Sequence, residues 1–211
     1  MSTTIITRNV RLSFDKNLFE PKEAPEGKKV GKRTCNVICS ADTTYAKMVD
    51  GKKVAITREG LKEIVEAEMK AKFHKVPAKY EDWATRKNDE ANSQQTGERF
   101  KGYEDDSQIY FSPSRYEDQG FPIFVRRDGS VINPETADGM AECKRLFYAG
   151  AFVSAKMNIA AFEVNEKGVT KRGATSYLEA LQFLKDGERF SGGSANAEGF
   201  DAEEEDEDDD I

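Results

Sequence analysis

The segment from 146 to 164, LFYAGAFVSAKMNIAAFEV, constrains the fold more than any other part of the chain. One face carries Ala151, Val153, Ala155, Met157 and Ile159, and the other carries Phe152, Ser154, Lys156, Asn158 and Ala160. Alternation with a period of two is typical of a strand with one buried face. Because Gly150 favours a bulge or a sharp bend, the segment predicts one long strand that serves two parts of a barrel.

Shorter strands are predicted before and after a helix. Alternating residues predict strands over 3–14, 33–41, 107–112 and 121–127. In the first of these, we place Ile6, Val10, Leu12 and Phe14 on one face together with Arg8, and Thr7, Asn9, Arg11 and Ser13 on the other. The segment Arg127–Ser130 contains Asp-Gly, which favours a turn.

Helical spacing appears in three places. Thr57 is a suitable N-cap for a helix whose apolar residues are Leu61, Ile64, Val65, Met69 and Phe73. A short helical turn is predicted within 135–145. A last helix is predicted near 175–185 from Tyr177, Leu178, Leu181, Phe183 and Leu184, and Gly187 would cap it.

These elements predict a mainly β fold with inserted helices, an α+β arrangement. The leading architecture is a five-stranded, OB-type antiparallel barrel with long loops. We expect one domain over 1–190, with a helical insertion near 57–106, followed by a flexible linker and acidic tail over 191–211.

The last fourteen residues, EGFDAEEEDEDDDI, contain ten carboxylates and no basic residue. Without them, residues 1–197 carry 32 basic and 29 acidic side chains, a net charge of +3. A basic body tethered to a polyanion predicts a protein that binds a polyanion and carries an imitation of one; the alternative is a tail that only aids solubility. We expect the end of the tail to bind replication or recombination proteins through Asp208, Asp209, Asp210 and Ile211.

The usual catalytic patterns are absent from the sequence. There is one histidine, His74, and neither a Walker phosphate loop nor Gly-x-Ser-x-Gly occurs. Cys35, Cys39 and Cys143 with His74 would make a zinc site in principle, but Cys35 and Cys39 lie on an apolar strand face, where cysteine acts as a small hydrophobe. We therefore expect no enzyme activity, no cofactor and no metal.

Location is predicted from the N-terminus and the hydropathy. The first residues, MSTTIITRNV, lack a secretory signal, and no apolar run of about 18 residues occurs. The expected location is the cytoplasm of whatever cell makes the protein.

Aromatic residues with basic neighbours are the remaining signal. Rings stack on the bases of single strands, and cations pair with phosphates. A basic loop with Lys28 and Lys29 leads into Lys32 and Arg33, which are two of the predicted DNA-binding residues. The predicted DNA-binding residues are Arg8, Lys32, Arg33, Tyr110, Phe124, Arg126, Lys144, Tyr148, Phe152 and Lys156. For Tyr110, Phe124 and Phe152, the alternative is a ring that packs in the core or under a loop.

Two parts of the chain resemble a family of phage single-stranded DNA-binding proteins. The pattern consists of Asn9–Phe14, Gly150 before the long strand, Gly168-Val169, Leu178 with Phe183, Asp186-Gly187-Glu188, Gly192-Gly193 and the acidic tail. The resemblance implies an OB fold, sequence-independent binding of single-stranded DNA, and an acidic tail analogous to those of replication single-strand binders. This favours a phage replication or recombination protein. From the flexible tether 191–197 and the charge of the tail, we expect the tail to compete with DNA and to recruit partners once DNA displaces it. Two other functions stay open: a DNA mimic acting through its tail, and a metal-dependent nuclease using Glu104, Asp105 and Asp106.

Overall fold

The structure is a computed structural model that describes residues 2–23, 30–93, 95–166 and 168–190. The predicted linker and acidic tail, including Asp208, Asp209, Asp210 and Ile211, lie outside the described residues. The loop lysines Lys28 and Lys29 also lie outside them.

Strands dominate the described part of the chain. They are β1 (Thr3–Ser13), β2 (Lys32–Thr34), β3 (Asn36–Ile38), β4 (Thr44–Val49), β5 (Lys52–Ile56), β6 (Glu81–Asp82), β7 (Arg86–Lys87), β8 (Ile109–Phe111), β9 (Ser114–Tyr116), β10 (Ile123–Val125), β11 (Val131–Ile132), β12 (Phe152–Glu166) and β13 (Val169–Lys185). The α-helices are α1 (Lys16–Phe19), α2 (Arg58–Phe73) and α3 (Ala137–Leu146), and 3-10 turns occupy Asn88–Glu90 and Glu117–Gln119.

All thirteen described strands belong to one sheet, whose main path is β11-β10-β13-β12-β1-β3-β8-β7. Most neighbouring strands are antiparallel, but β6, β9 and β10 run parallel to β13. The prediction of a mainly β fold with a few helices is confirmed. The predicted five-stranded antiparallel barrel is not confirmed, because the described sheet has more strands and is mixed.

A bulge in β1 changes which side chains face the core. The pairing with β12 shifts between Arg8 and Val10, and Asn9 has a φ of 63°. Ile5 and Thr7 are buried before the bulge, and Val10 and Leu12 are buried after it. The prediction that Ile6 and Arg8 share a face with Val10 is therefore wrong: Arg8 is exposed.

The segment 175–185 is a strand, so the predicted last helix is wrong. β13 pairs along its length with β12 in a hairpin that turns at Gly168, where φ is 82°. Their register shifts where Lys156 pairs with Ala180 and Met157 pairs with Leu178, which leaves Glu179 as the extra residue of a bulge. The bulge moves the buried side of β13 from Leu178 to Leu181.

The inner face of the long hairpin forms the main core with α2. As predicted for β12, Ala151, Val153, Ala155, Met157 and Ile159 are buried. They cluster with the predicted helix residues Leu61, Ile64, Val65 and Met69. The Oγ1 of Thr57 accepts from the backbone N–H of Gly60 at 3.2 Å, which confirms the predicted N-cap.

Two further features complete the architecture. β4 and β5 form a hairpin that the sequence analysis left unassigned, although its turn residues Asp50 and Gly51 are a common hairpin pair, with φ values of 49° and 76°. The helical turn predicted at 135–145 is present as α3. In the described residues, none of the helices is long and apolar enough to cross a membrane.

Candidate nucleic-acid interface

The side of the sheet that faces away from α2 carries a row of polar side chains. Arg8 of β1 pairs with Ser154 of β12, which pairs in turn with Gln182 of β13. Alternate residues of β12 point to this side because the core residues between them point inward. We call this side of β1, β12 and β13 the outer face.

One end of the outer face holds a pocket of about 510 Å³, which we call the basic pocket. It is lined by Arg8, Asn9, Arg127, Gln182, Leu184 and Lys185. Its three cations are exposed, and none of them forms an ion pair with any residue that the structure describes. Because the lining contains no carboxylate, the pocket suits a phosphate or another anion.

Phe152 lies beside the basic pocket and between two cations. It pairs with Arg11 of β1 and with Lys185 of β13. The Arg11 guanidinium carbon lies 5.4 Å from the centroid of the Phe152 ring, and Lys185 Nζ lies 4.5 Å from it. The ring is half-buried, and one cation from each neighbouring strand lies over it. In proteins that bind single strands, rings stack on bases and cations pair with phosphates.

Arg11 joins the outer face to the end of the described chain. Its Nε donates to the carbonyl of Gly150 at 3.2 Å, and its Nη2 donates to the carbonyl of Glu188. Burial lowers the pKa of Arg11, although the Glu188 carboxylate opposes this change. Arg11 was placed on a strand face by the sequence analysis but was not predicted as a site residue.

Residues 186–190 cross the end of the outer face, and we call them the C-terminal strap. The backbone N–H of Phe190 donates to the carbonyl of Ala149 at 3.0 Å, and Lys101 pairs with Glu188 at 2.6 Å. A Cβ on Gly150 would lie 2.0 Å from the Glu188 carbonyl oxygen, so this close approach requires glycine. The strap therefore holds Phe190, the last described residue, next to the outer face.

Three predicted residues lie on the outer face. Arg8 lines the basic pocket, and Phe152 lies beside it. Lys156 is exposed and lies four residues after Phe152 on the same side of β12. Lys156 Nζ is already paired with Glu179 at 2.7 Å, so its charge is partly neutralised. Contact of these three residues with DNA stays a prediction.

Four predicted residues are buried. Phe124 is 0% exposed and packs against Phe147, so the surface ring predicted there is wrong. Arg33 donates Nη1 to the carbonyls of Leu18 and Phe19 at 3.3 and 2.8 Å, and burial lowers its pKa. This arginine holds α1 against β2, and its buried guanidinium is not accessible to a ligand.

Tyr110 and Tyr148 are each 5% exposed and are held by neighbours. Tyr110 lies under the loop that follows β7, with its ring centroid 5.1 Å from that of Tyr103. The Tyr148 hydroxyl donates to Asp186 at 3.0 Å and accepts from the N–H of Gly187 at 3.1 Å. The loop and the C-terminal strap therefore cover rings that the sequence analysis expected to be open for stacking.

The remaining predicted cations do not line the basic pocket, although the carbonyl of Arg126 accepts from the side chain of Gln182 at 3.3 Å. Arg126 forms a two-point pair with Glu142, each bond 2.7 Å long, and this hydrogen bonding raises the pKa of Arg126 and lowers that of Glu142. Lys144 is exposed on α3, and Lys32 Nζ lies 4.7 Å from the ring centroid of Tyr116. Their contact with DNA stays a prediction.

The cysteines and acids do not gather into a metal site in the described part of the chain, where no group of three or more His, Cys, Asp or Glu side chains is close enough to hold an ion. Cys35, Cys39 and Cys143 are buried and free. Burial raises the pKa of Cys35 and of Cys39 to about 12 and that of Cys143 to about 11.

Sequence reasoning missed Arg127, Gln182 and Lys185 of the basic pocket. Arg127 was assigned to a turn, and the other two fell in or beside the wrongly predicted helix. A signal was available: the outward positions of β12 are polar, so a partner strand in the same sheet would also carry polar side chains toward the outer face.

In the comparisons with known proteins, the matches are phage single-stranded DNA-binding proteins. A sequence profile described as "Enterobacter phage Enc34, ssDNA-binding protein" matches residues 3–211. The structure of the single-stranded DNA-binding protein from bacteriophage Enc34 in complex with ssDNA is similar to this chain with a TM-score of 0.61 and 16% identity, over 89% of each chain.

Two other structures of the Enc34 protein are also similar. One gives a TM-score of 0.57 at 16% identity and covers 92% of this chain and 87% of its own. A C-terminal truncation gives 0.58 at 16% identity and covers 88% of each chain. At this identity the likeness concerns the fold. The comparison with curated proteins finds no match.

Proposed function

The chain belongs to the Enterobacter phage Enc34 ssDNA-binding protein family, and from this premise we propose that it binds single-stranded DNA without sequence preference during phage DNA replication or recombination. The proposed place of action is the cytoplasm of the infected cell. No catalytic step is part of the proposal: the protein coats the strand.

The basic pocket carries the proposal. Three cations line it that form no ion pair within the described part of the chain, and Phe152 lies beside it between Arg11 and Lys185. Phosphate contacts supply affinity that does not depend on sequence, and ring stacking tolerates every base. In this proposal Arg8, Arg127 and Lys185 pair with phosphates, and Phe152 stacks on a base.

The tail forms the second part of the proposal. Residues 198–211 carry ten carboxylates, and the described chain ends at Phe190 in contact with Arg11. A flexible tether holds such a segment at an effective concentration near the millimolar range. The tail therefore competes with DNA for the basic pocket, and DNA binding frees it to recruit replication or recombination proteins.

The finer architecture is also a proposal: an OB-type barrel over residues 1–190, with an insertion near 57–106. It is supported by a circuit of paired strands, in which β1 pairs with β3 and β12, β12 pairs with β13, β13 pairs with β9, and β9 pairs with β2, the strand immediately before β3. Five segments of chain, 3–13, 32–38, 109–116, 152–166 and 169–185, supply these strands.

The test is a titration of a labelled single strand by fluorescence anisotropy, with the full chain and with a chain that ends at residue 197, across a salt series. If three phosphates pair with the basic pocket, log K should fall against log salt with a slope of about −2 or steeper. A flat response would contradict the phosphate contacts. Absence of binding by the shortened chain would instead favour the DNA mimic, and strand degradation that requires magnesium would favour the nuclease.

A further inference from the structure

A second groove lies on the same side of the sheet, beyond Arg11, and is separate from the basic pocket. It has a volume of about 680 Å³, within the roughly 300–1,000 Å³ that small-molecule sites span. Phe14, at the end of β1, and Phe100, in the loop over β3 and β8, both line it. We call it the Phe14–Phe100 groove.

Its two phenylalanines meet edge to face. Their ring centroids are 5.0 Å apart, and the ring planes make an angle of 88°. Phe14 is 36% exposed, and its φ is 55°. A bulky residue with positive φ is strained, and such residues cluster at binding sites, where the surrounding structure holds them in place.

The rest of the lining is polar and mostly uncharged. Asn17, Thr34 and Gln95 line the groove, and their side chains form no hydrogen bond with any described residue. Amide and hydroxyl groups can both donate and accept, as the edges of nucleobases require. The basic pocket, by contrast, has three cations and no ring in its lining.

The lining of the Phe14–Phe100 groove also contains basic side chains. Lys22 and Arg86 line it, against one carboxylate, Glu90. Arg8 of β1 and Phe14, which directly follows β1, are six residues apart, a distance of at most about 20 Å for extended chain. A single strand of about six stacked nucleotides covers that distance, so one strand can contact both sites.

We propose that the Phe14–Phe100 groove binds nucleobases of the same single strand whose phosphates lie on the basic pocket, with the two rings as the stacking surface. The proposal rests on the proposed function and adds a base-binding site to it. The strand then passes over Arg11 and Phe190, where the C-terminal strap ends.

The experiment compares two oligonucleotides of equal length, one with normal bases and one with a tetrahydrofuran unit in place of every base. With the full chain, Phe14→Leu and Phe100→Leu should each weaken binding of the normal strand by roughly 5- to 150-fold, the range for loss of one stacked base. Neither change should weaken binding of the abasic strand further. The matched control is Phe162→Leu, which removes a ring of β12 that stacks on Trp83 and lines neither site.

Unchanged affinity for the normal strand, or an equal loss on both strands, would overturn the proposal. If the leucine variants do not fold, the proposal is tested with a fluorescence reporter. The single tryptophan is removed by Trp83→Phe, and a new one is introduced in the groove by Phe100→Trp. Bound normal strand should quench this reporter, and a bound strand without quenching would overturn the proposal. A wild-type chain that binds neither oligonucleotide is a separate result, since it contradicts the proposed function itself.

Discussion

The guanidinium carbon of Arg11 lies 4.1 Å from the centroid of the Phe190 ring, so the first strand holds the last described residue of the chain. The same guanidinium faces Phe152 on the outer face. Because of this contact, Phe190 is held beside the cations that we propose to bind DNA, and the tether to the acidic segment is counted from that residue.

Deletion of residues 198–211 should tighten binding of single-stranded DNA, and the gain should be greatest at low salt. The reason is that the Debye length falls from about 30 Å at 0.01 M to about 8 Å at 0.15 M, which screens the tail from the basic pocket. The measurement is a titration across that salt range. A matched control replaces the ten carboxylates with Asn and Gln and should behave like the deletion; equal affinity of all three proteins throughout would rule out competition.

Arg127→Ala should reduce the slope of log K against log salt by about 0.7, the value for one lost phosphate contact with a single strand. Lys156→Ala should change the slope less, because Glu179 already neutralises this lysine at 2.7 Å. Lys70→Ala, on the exposed side of α2, serves as the control and should leave the slope unchanged. Equal changes for Arg127 and Lys70 would show that the basic pocket does not contact phosphate.

Phe152→Ala should weaken binding by about 1–3 kcal/mol while nearly keeping the salt slope, because a ring contributes stacking and no charge. Affinity and melting temperature are measured on the same protein. A lower melting temperature with unchanged affinity of the folded protein would show that Phe152 only packs between Arg11 and Lys185.

Gly150→Ala should lower the free energy of unfolding by roughly 2–5 kcal/mol, since strain at φ of 107° adds to the overlap with the Glu188 carbonyl. Gly129→Ala is the control for strain alone: its φ is 91°, and no atom lies within 4 Å of the added Cβ. It should cost about 1–2 kcal/mol. Urea unfolding measures both values, and equal costs would mean that the C-terminal strap moves aside freely.

The three cysteines should resist alkylation by iodoacetamide at pH 8 in the native protein. Burial raises the pKa of Cys35 and Cys39 to about 12 and that of Cys143 to about 11, so the thiols stay protonated, and the thiolate is the reactive form. Mass spectrometry should find no adduct on the native chain and three after unfolding in urea. Rapid native labelling of any one would place that thiol at the surface.

The sequence predicted α2 correctly, and it predicted the long strand β12 but began it at 146, whereas Leu146 ends α3 and the strand begins at Phe152. Both elements were found because their apolar residues keep one period over most of the length. The sequence predicted a helix where β13 lies because a bulge gives the buried residues of this strand a helical spacing. The extra residue Glu179 separates buried Leu178 from buried Leu181 by three positions, which is the spacing of a helical turn. The bulge at Asn9 had the same effect on β1, where the buried side passes from Thr7 to Val10.

The candidate interface was harder to predict than the fold. Phe152 lies on the outward side of β12, as its period predicts, whereas Arg8 is exposed because the bulge at Asn9 removes it from the face of Val10. The contact of both residues with DNA stays a prediction. Burial of Phe124 and Arg33 depends on which segments cover them, and pairing of Arg126 depends on the position of α3. Such contacts join distant parts of the chain, so local patterns do not contain them.

The pairing of β1 sets an order of events during synthesis. Thr3 pairs with Ile159, a separation of 156 residues, whereas the other edge of β1 pairs with β3 and β4, which are made soon after it. At roughly 5–20 residues per second, the edge that awaits β12 stays unpaired for about 8–30 s. The nascent protein therefore exposes an unpaired strand edge to its neighbours until the residues of β12 have been made, and pairing over so long a sequence separation slows folding.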